Sequence, residues 1–215
     1  KGKISFPTFL HKMCNIPDLH GTHVAGIISA KHNNGVGIAG VCDNAELVCV
    51  DWTPFIVNLW NTELAIFFGL SNCVKAGAKV VNFSLGTSGT TAGMDMTLYD
   101  EEFVPAAISY MMSSLLSKGY DFIAVQSAGN GDIDGDPIDS RANGHFCNLN
   151  KDNIYTGSYE ISAEEILGRA VVVGSVYGTT NGRFVQSDFS NVGPQIDISA
   201  PGEKIYSSIY FDEYE

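Results

Sequence analysis

The sequence is poor in positive charge and in long apolar runs, and both absences exclude classes of function. Lys and Arg number 12 against 24 Asp and Glu, which gives a net charge of −12. Such a surface repels phosphate and excludes nucleic acid as an expected partner. Because no run of about 18 apolar residues occurs, we predict no membrane span. No basic-then-apolar leader opens the chain, although a chain that starts in a loop at Lys1 says little about a leader.

Cysteines are few, odd in number and scattered along the chain. The five are Cys14, Cys42, Cys49, Cys73 and Cys147. This pattern excludes a disulfide framework, and the lack of a C-x-x-C pair excludes the usual zinc motif. We expect most of them to be free, partly buried thiols that pack as small apolar groups.

The remaining composition is that of a compact enzyme domain. The chain has 215 residues, of which 45% are hydrophobic, 17% are charged and 23 are glycine. This length can bury a sizeable core, and we expect residues 1–215 to form a single domain of α/β or all-β type.

Hydrophobic periodicity, helix caps and glycine stops favour the α/β class. The predicted helices cover 22–31, 61–76 and 100–118, and the predicted strands 46–52, 79–85, 121–128, 170–177 and 195–200. Residues 87–98 and 131–162 are expected to be irregular. Alternating strands and helices predict right-handed βαβ units, and therefore a mostly parallel central sheet flanked by helices, with functional groups at the carboxyl ends of the strands.

Two short motifs carry side chains suited to catalysis. In H-G-T-H-V-A-G, His20 stands at a helix start and can take and return a proton at neutral pH. The alternatives are a capped helix start with incidental histidines, or a metal site on His20 and His23, which lacks the H-E-x-x-H spacing. In S-A-G-N-G, just after a strand, Asn130 can donate to a developing oxyanion; the alternative is a simple Gly/Asn turn.

Four motifs in the same order resemble the subtilase family. They are H-G-T-H-V-A-G at 20–26, V-V-N-F-S-L-G at 80–86, S-A-G-N-G at 127–131, and F-S-N-V-G-P followed by I-S-A-P-G at 189–202. The resemblance runs from about residue 18 to 208. It implies a three-layer fold, hydrolysis of polypeptides through a serine acyl-enzyme, no required cofactor, and an extracellular or cell-surface location.

The resemblance also implies roles for particular residues. His20 matches the general base and Asn130 the oxyanion donor. Two backbone segments match those that flank the substrate at the primary specificity pocket, namely Ser84, Leu85 and Gly86, and Ser127, Ala128 and Gly129. The first segment would pair with an extended substrate as an added strand. The long segment 131–162 departs from the compact family pattern and is expected to reshape that pocket.

The family's aspartate and serine have no match in these residues. The aspartate precedes the histidine by about 32 residues in subtilisin, whereas only 19 residues precede His20. Asp18 is too close to serve. Ser88 lies in G-T-S but is followed by Gly-Thr instead of Met-Ala. We therefore expect this chain alone to be inactive, with exposed apolar surface that favours self-association. A truncated domain is the favoured explanation, and a pseudoprotease that binds a peptide or partner is the alternative.

Two loops invite ligand interpretations. Residues 35–40 match G-x-G-x-x-G, but a helix precedes them and a strand follows, which is the reverse of the dinucleotide fingerprint. The turn resembles the family's calcium loop, with Asn34 as a ligand, and implies a structural calcium ion. In 132–136 carboxylates alternate as calcium ligands do, yet Pro137 occupies the EF-hand glycine position, which favours an exposed acidic loop.

Overall fold

The computed structural model describes residues 19–50, 61–86, 102–132 and 134–209. It falls into two compact units, one of residues 1–65 with 204–215 and the other of residues 66–203. The single domain expected from the sequence stays a prediction.

The larger unit is built on a five-stranded, mostly parallel sheet. Its strands are β1 (Val80–Phe83), β2 (Ile123–Ser127), β3 (Ala170–Gly178), β4 (Phe184–Gln186) and β5 (Ile198–Pro201). The pairs β1–β2, β2–β3 and β3–β5 are parallel, and only β4 runs antiparallel to β3. The predicted parallel sheet is therefore confirmed. Phe83 pairs with Gln126, so β1 and β2 end side by side.

Three helices accompany this sheet, and their apolar residues recur at helical spacing. They are α2 (Asn61–Lys75, which begins in the smaller unit), α3 (Val104–Leu116) and α4 (Ala163–Leu167). Buried stripes run along α2 and α3 at intervals of three or four residues, which is the pattern of a helix with one face in the core. The stripe residues are Ile66, Leu70, Val74, Ile108, Met112 and Leu115. Pro105 lies in the first turn of α3, as predicted.

The smaller unit contains helix α1 (Leu19–Ser29), which begins three residues before the predicted start. The chain then folds back on the end of this helix, where the amides of Gly40, Val41 and Cys42 donate to its last carbonyls. These bonds satisfy acceptors that a helix end otherwise leaves unpaired. The strand predicted at 46–52 is wrong for 46–50, which form no strand. Apolar alternation gives a strand only where a neighbour supplies backbone partners. Residues 51–52 lie outside the described residues.

Two short elements of the larger unit were not predicted from the sequence. Helix α4 carries a capping box in which Ser162 and Glu165 exchange hydrogen bonds, a signal that was present in the sequence. Strand β4 has only three residues and forms on the return of a hairpin from β3. Segment 131–162, expected to be irregular, contains two 3-10 turns at Ser140–Asn143 and His145–Asn148. The irregular segment predicted at 87–98 lies outside the described residues.

Four cysteines can be placed, and all are free thiols. Cys73 and Cys147 are buried as expected, whereas Cys42 and Cys49 are exposed. Cys14 lies outside the described residues. In the part of the chain that the structure describes, no helix has the length and apolar character needed to cross a bilayer.

Ser109 of α3 anchors the long segment that follows β2. Its hydroxyl donates to Pro105 O at 2.8 Å and accepts from Tyr155 N at 2.9 Å. Ser113, one turn later and equally buried, donates within the helix to Ser109 O at 2.8 Å. We expect Ser109→Ala to lower the free energy of unfolding by about 1–1.5 kcal/mol, because it removes the partner of the part-buried Tyr155 amide. Ser113→Ala is the matched control and should cost less than about 1 kcal/mol. Urea unfolding measures both, and equal losses would contradict the anchoring role.

Candidate functional site

A cleft of about 240 Å³ lies where β1 and β2 end, at the carboxyl edge of the parallel sheet. Its lining comes from the two strand ends, from the loop after β2 and from Asn191. The lining residues are Ser84, Leu85, Gly86, Ser127, Gly129, Asn130, Gly131, Asp132, Ile138, Ala142, Asn143 and Asn191. This is the edge at which parallel sheets gather functional groups.

The cleft unites most of the residues predicted for substrate contact. Ser84, Leu85 and Gly86 line one side, and Ser127 and Gly129 line the other. Ala128, also predicted, packs instead in the core with Cys147 and Val172. Alternation along the strand direction explains this placement, because successive residues face opposite sides.

Asn130 lies at the cleft on an exposed turn between two glycines with positive φ, Gly129 at 102° and Gly131 at 84°. Its carboxamide makes no hydrogen bond with another described residue, so the amide hydrogens can reach a molecule in the cleft. A positioned amide of this kind can stabilise negative charge that develops on a carbonyl oxygen.

Asn191 holds the turn of Asn130 in place. Its carboxamide oxygen accepts from Gly131 N at 2.9 Å and Ile138 N at 3.2 Å, and its nitrogen donates to Ala128 O at 3.0 Å. Gly129 must lack a side chain here, since a Cβ would lie 2.4 Å from the Asn191 amide nitrogen. The buried carboxamide of Asn191 thus supplies partners to three backbone groups that have none within the sheet.

Gln126, on β2, also supplies hydrogen-bond partners to backbone groups through its carboxamide. From the buried face of β2 its carboxamide oxygen accepts from Phe146 N at 2.9 Å, and its nitrogen donates to Leu85 O at 3.3 Å and Gly144 O at 3.4 Å. The ring of Phe146 lies 5.1 Å from that of Phe83, centroid to centroid. These contacts bind the second 3-10 turn to the ends of both strands.

His145 and Cys147 lie behind the cleft and are both buried. Burial lowers the pKa of His145 to about 4, although a hydrogen bond to the Asn143 backbone opposes the shift. Burial also raises the pKa of Cys147 to about 12, so the thiol stays protonated. Among the described residues, Nδ1 of His145 is the one buried polar side-chain atom without a hydrogen-bond partner. Neither group is suited to proton transfer at neutral pH.

The histidines of the first motif belong to the smaller unit. His20 is exposed on the first turn of α1. The His23 ring bonds through Nε2 to Ile205 O at 3.1 Å, and the hydroxyl of Ser207 donates to the His23 carbonyl. His23 therefore has a structural role, and the described residues include no cluster of three or more His, Cys, Asp or Glu that could hold a metal ion.

The proposed calcium ligand Asn34 lies in the turn that follows α1. Its carboxamide oxygen accepts from Val36 N at 3.0 Å and thereby closes its own turn. Glycines with positive φ at 35 and 37 shape the rest of that turn. Calcium normally needs six to eight oxygen ligands, and the described residues give Asn34 no carboxylate cluster. Calcium binding at this turn stays a prediction.

Comparison with known families shows what the chain is related to. The model of the subtilase family, peptidase S8, matches residues 17–214. The chain belongs to the subtilase family. This subtilase is 28% identical over 190 residues to thermitase of Thermoactinomyces vulgaris, covering 88% of the chain and 51% of thermitase. It is 27% identical over 197 residues to the minor extracellular protease Epr of Bacillus subtilis (strain 168), covering 91% of the chain and 23% of Epr.

Among solved structures, the MycP3 protease from the type VII (ESX-3) secretion system is similar, at 21% identity and a TM-score of 0.49, over 87% of this chain and 50% of that one. The subtilase chain spans about half, or less, of the length of the curated relatives named here. Its α/β fold with a mostly parallel sheet is that of the family.

Sequence reasoning missed Gln126, Asn143 and His145 of this subtilase. Gln126 gave a usable signal, because it occupies a buried position in the alternation of β2 and a buried amide needs partners. Asn143 and His145 lie in a segment without periodicity. Nothing in their neighbourhood along the chain shows which strands they reach.

The buried His145 predicts a specific dependence of stability on pH. Its pKa is about 4 in the folded chain and about 6.5 when unfolded, so the unfolded chain binds the proton more readily between these values. The stabilisation is complete above pH 6.5 and is lost as the pH falls to 4, by about 3 kcal/mol. His145→Asn removes the titrating ring and tolerates the positive φ of 56°.

Urea unfolding of the wild-type and His145→Asn chains at pH 7, 6, 5 and 4 isolates the contribution of His145, because every other titrating group is the same in the two chains. We expect the free energy of unfolding of the wild-type chain to fall relative to that of His145→Asn by about 3 kcal/mol between pH 6.5 and pH 4. Curves that stay parallel would show that His145 is not buried as a neutral ring.

Proposed function

We propose that this chain is part of the catalytic domain of a subtilisin-like serine endopeptidase. One observation carries the proposal: the ends of β1 and β2 form the two sides of a single cleft, with Asn130 at its edge. An extended peptide laid between these sides could pair with the backbone at 84–86, as strand addition requires. The amide of Asn130 would then reach the carbonyl of the bond to be cut.

His20 supplies the general base in this proposal. It would take the proton of a serine hydroxyl during attack and return it to the leaving amine. The proposal assigns the serine and the aspartate to residues outside these 215, in keeping with relatives of greater length. The sequence of the gene around this segment tests that assignment directly, and replacement of both residues there would favour the binding scaffold instead.

An extracellular or cell-surface location is part of the proposal and has mixed support. One Bacillus subtilis relative is named as an extracellular protease, and another as the major intracellular serine protease. Structural calcium and self-association remain predictions. Exposed apolar side chains available for self-association include Val80, Ile123, Ile198 and Tyr206.

We expect substitutions of the two proposed catalytic groups to act differently in the full-length protein. His20→Ala should lower kcat by about 10⁶-fold, and Asn130→Ala by about 10²–10³-fold with little change in KM, magnitudes known from subtilisin. Asn72→Ala is the control for Asn130, since Asn72 is exposed on α2 and outside the cleft. Steady-state kinetics on a peptide substrate measures these effects. Near-normal kcat in the Asn130 variant would remove it from the oxyanion role.

The 215-residue chain alone should not cleave peptides, because loss of the nucleophile costs about 10⁶-fold in this family. A fluorogenic peptide incubated with the purified chain measures this. Turnover that survives purification and disappears in His20→Ala would show that a serine within these residues serves as nucleophile.

A further inference from the structure

The carboxamide of Asn143 lies between the two sides of the cleft. A Cβ on Gly86 would come within 1.8 Å of the Asn143 Oδ1, and a Cβ on Gly129 within 3.0 Å of the same atom. One side chain thus touches a glycine of each segment proposed to hold substrate. At Gly86 the contact leaves room only for glycine, and at Gly129 it is tighter than most Cβ contacts.

Asn143 is held in this position both through its side chain and through the backbone of its turn. Its Nδ2 donates to Ser127 O at 2.6 Å, and the side chain is almost fully buried, with 6% exposed. The 3-10 turn that carries it, Ser140–Asn143, is capped by Asp139, whose carboxylate accepts from Arg141 N at 2.9 Å. Ser140 N then bonds to Val192 O at 2.7 Å. The carboxamide is therefore a fixed part of the cleft wall.

The oxygen of this carboxamide accepts no hydrogen bond from another described residue. A short side chain bearing a hydroxyl can donate to it without disturbing the wall. A large apolar side chain has to displace the carboxamide, which breaks its bond to Ser127 O and leaves a buried carbonyl unpaired. Sites built around polar groups discriminate strongly for this reason.

We propose that Asn143 determines specificity in this cleft, and that it selects a small or short hydroxyl-bearing residue, such as serine, immediately before the cleaved bond. The inference rests on the proposed function, because it needs a peptide between the two segments. It goes further by naming the side chain that sets the preference and the class of residue preferred.

Binding to the 215-residue chain tests the inference without catalysis. The probes are two peptides, acetyl-Ala-Ala-Ala-Xaa-Ala-Ala-amide, with Ser or Phe at Xaa, titrated by NMR with the amides of Gly86 and Gly129 as reporters. Wild type should bind the Ser peptide more tightly. Asn143→Ala removes the carboxamide from the cleft wall and leaves room for a larger side chain. We expect the ratio of the two affinities to shift in favour of the Phe peptide by about tenfold or more.

Arg141→Ala is the matched control, since Arg141 lies in the same turn, is exposed and does not line the cleft. It should keep the wild-type ratio. Asn143→Ser, which retains a donor for Ser127 O, provides the same comparison if Asn143→Ala does not fold by circular dichroism. Binding with a ratio that Asn143 substitutions leave unchanged would overturn the inference alone. No binding of either peptide by any variant would overturn the proposed function as well.

Discussion

Three buried carboxamides fix the end of the sheet at which the cleft forms. Where β1 and β2 end, backbone donors and acceptors no longer have hydrogen-bond partners in the sheet. Such groups are costly when they are buried without a partner. Gln126, Asn143 and Asn191 supply the missing partners, each joining a strand end to a loop distant in sequence. Because an amide carries both a donor and an acceptor, one side chain can hold two segments at once. The cleft keeps its shape through these bonds.

The glycines beside the amides complete this arrangement. Gly86 and Gly129 are the positions at which a carboxamide approaches the backbone too closely for a side chain. Gly86 at the end of V-V-N-F-S-L-G and Gly129 before Asn130 in S-A-G-N-G are therefore glycine for a packing reason as well as for any contact with substrate. A substitution at either glycine would push Asn143 or Asn191 away from its partners. Cleft shape and amide network then change together, since they share the same atoms.

Local pattern was enough to predict the sheet, because β1, β2 and β3 are short apolar runs between helices with clear caps and stops. The same reasoning placed Ser84–Gly86 and Asn130 at strand ends that the structure brings to one cleft. It failed at 46–50, where alternation had no neighbour to pair with, and at Asn143. The position of Asn143 depends on Gly86 and Ser127, which lie 57 and 16 residues away in the sequence. No short window contains that information.

The burial of His145 and Cys147 argues against Cys147 as a nucleophile. A catalytic cysteine needs a lowered thiol pKa, with a nearby imidazolium to stabilise the thiolate. Here the thiol pKa is raised to about 12 and the imidazole pKa lowered to about 4, so the proton stays on sulfur and the ring stays neutral. The pair is therefore part of the core that supports the cleft, despite its catalytic residue types. The groups proposed for chemistry, His20 and Asn130, are both exposed. Cys147 is therefore unsuited to act as a nucleophile, in agreement with the hydroxyl nucleophile of the proposed function.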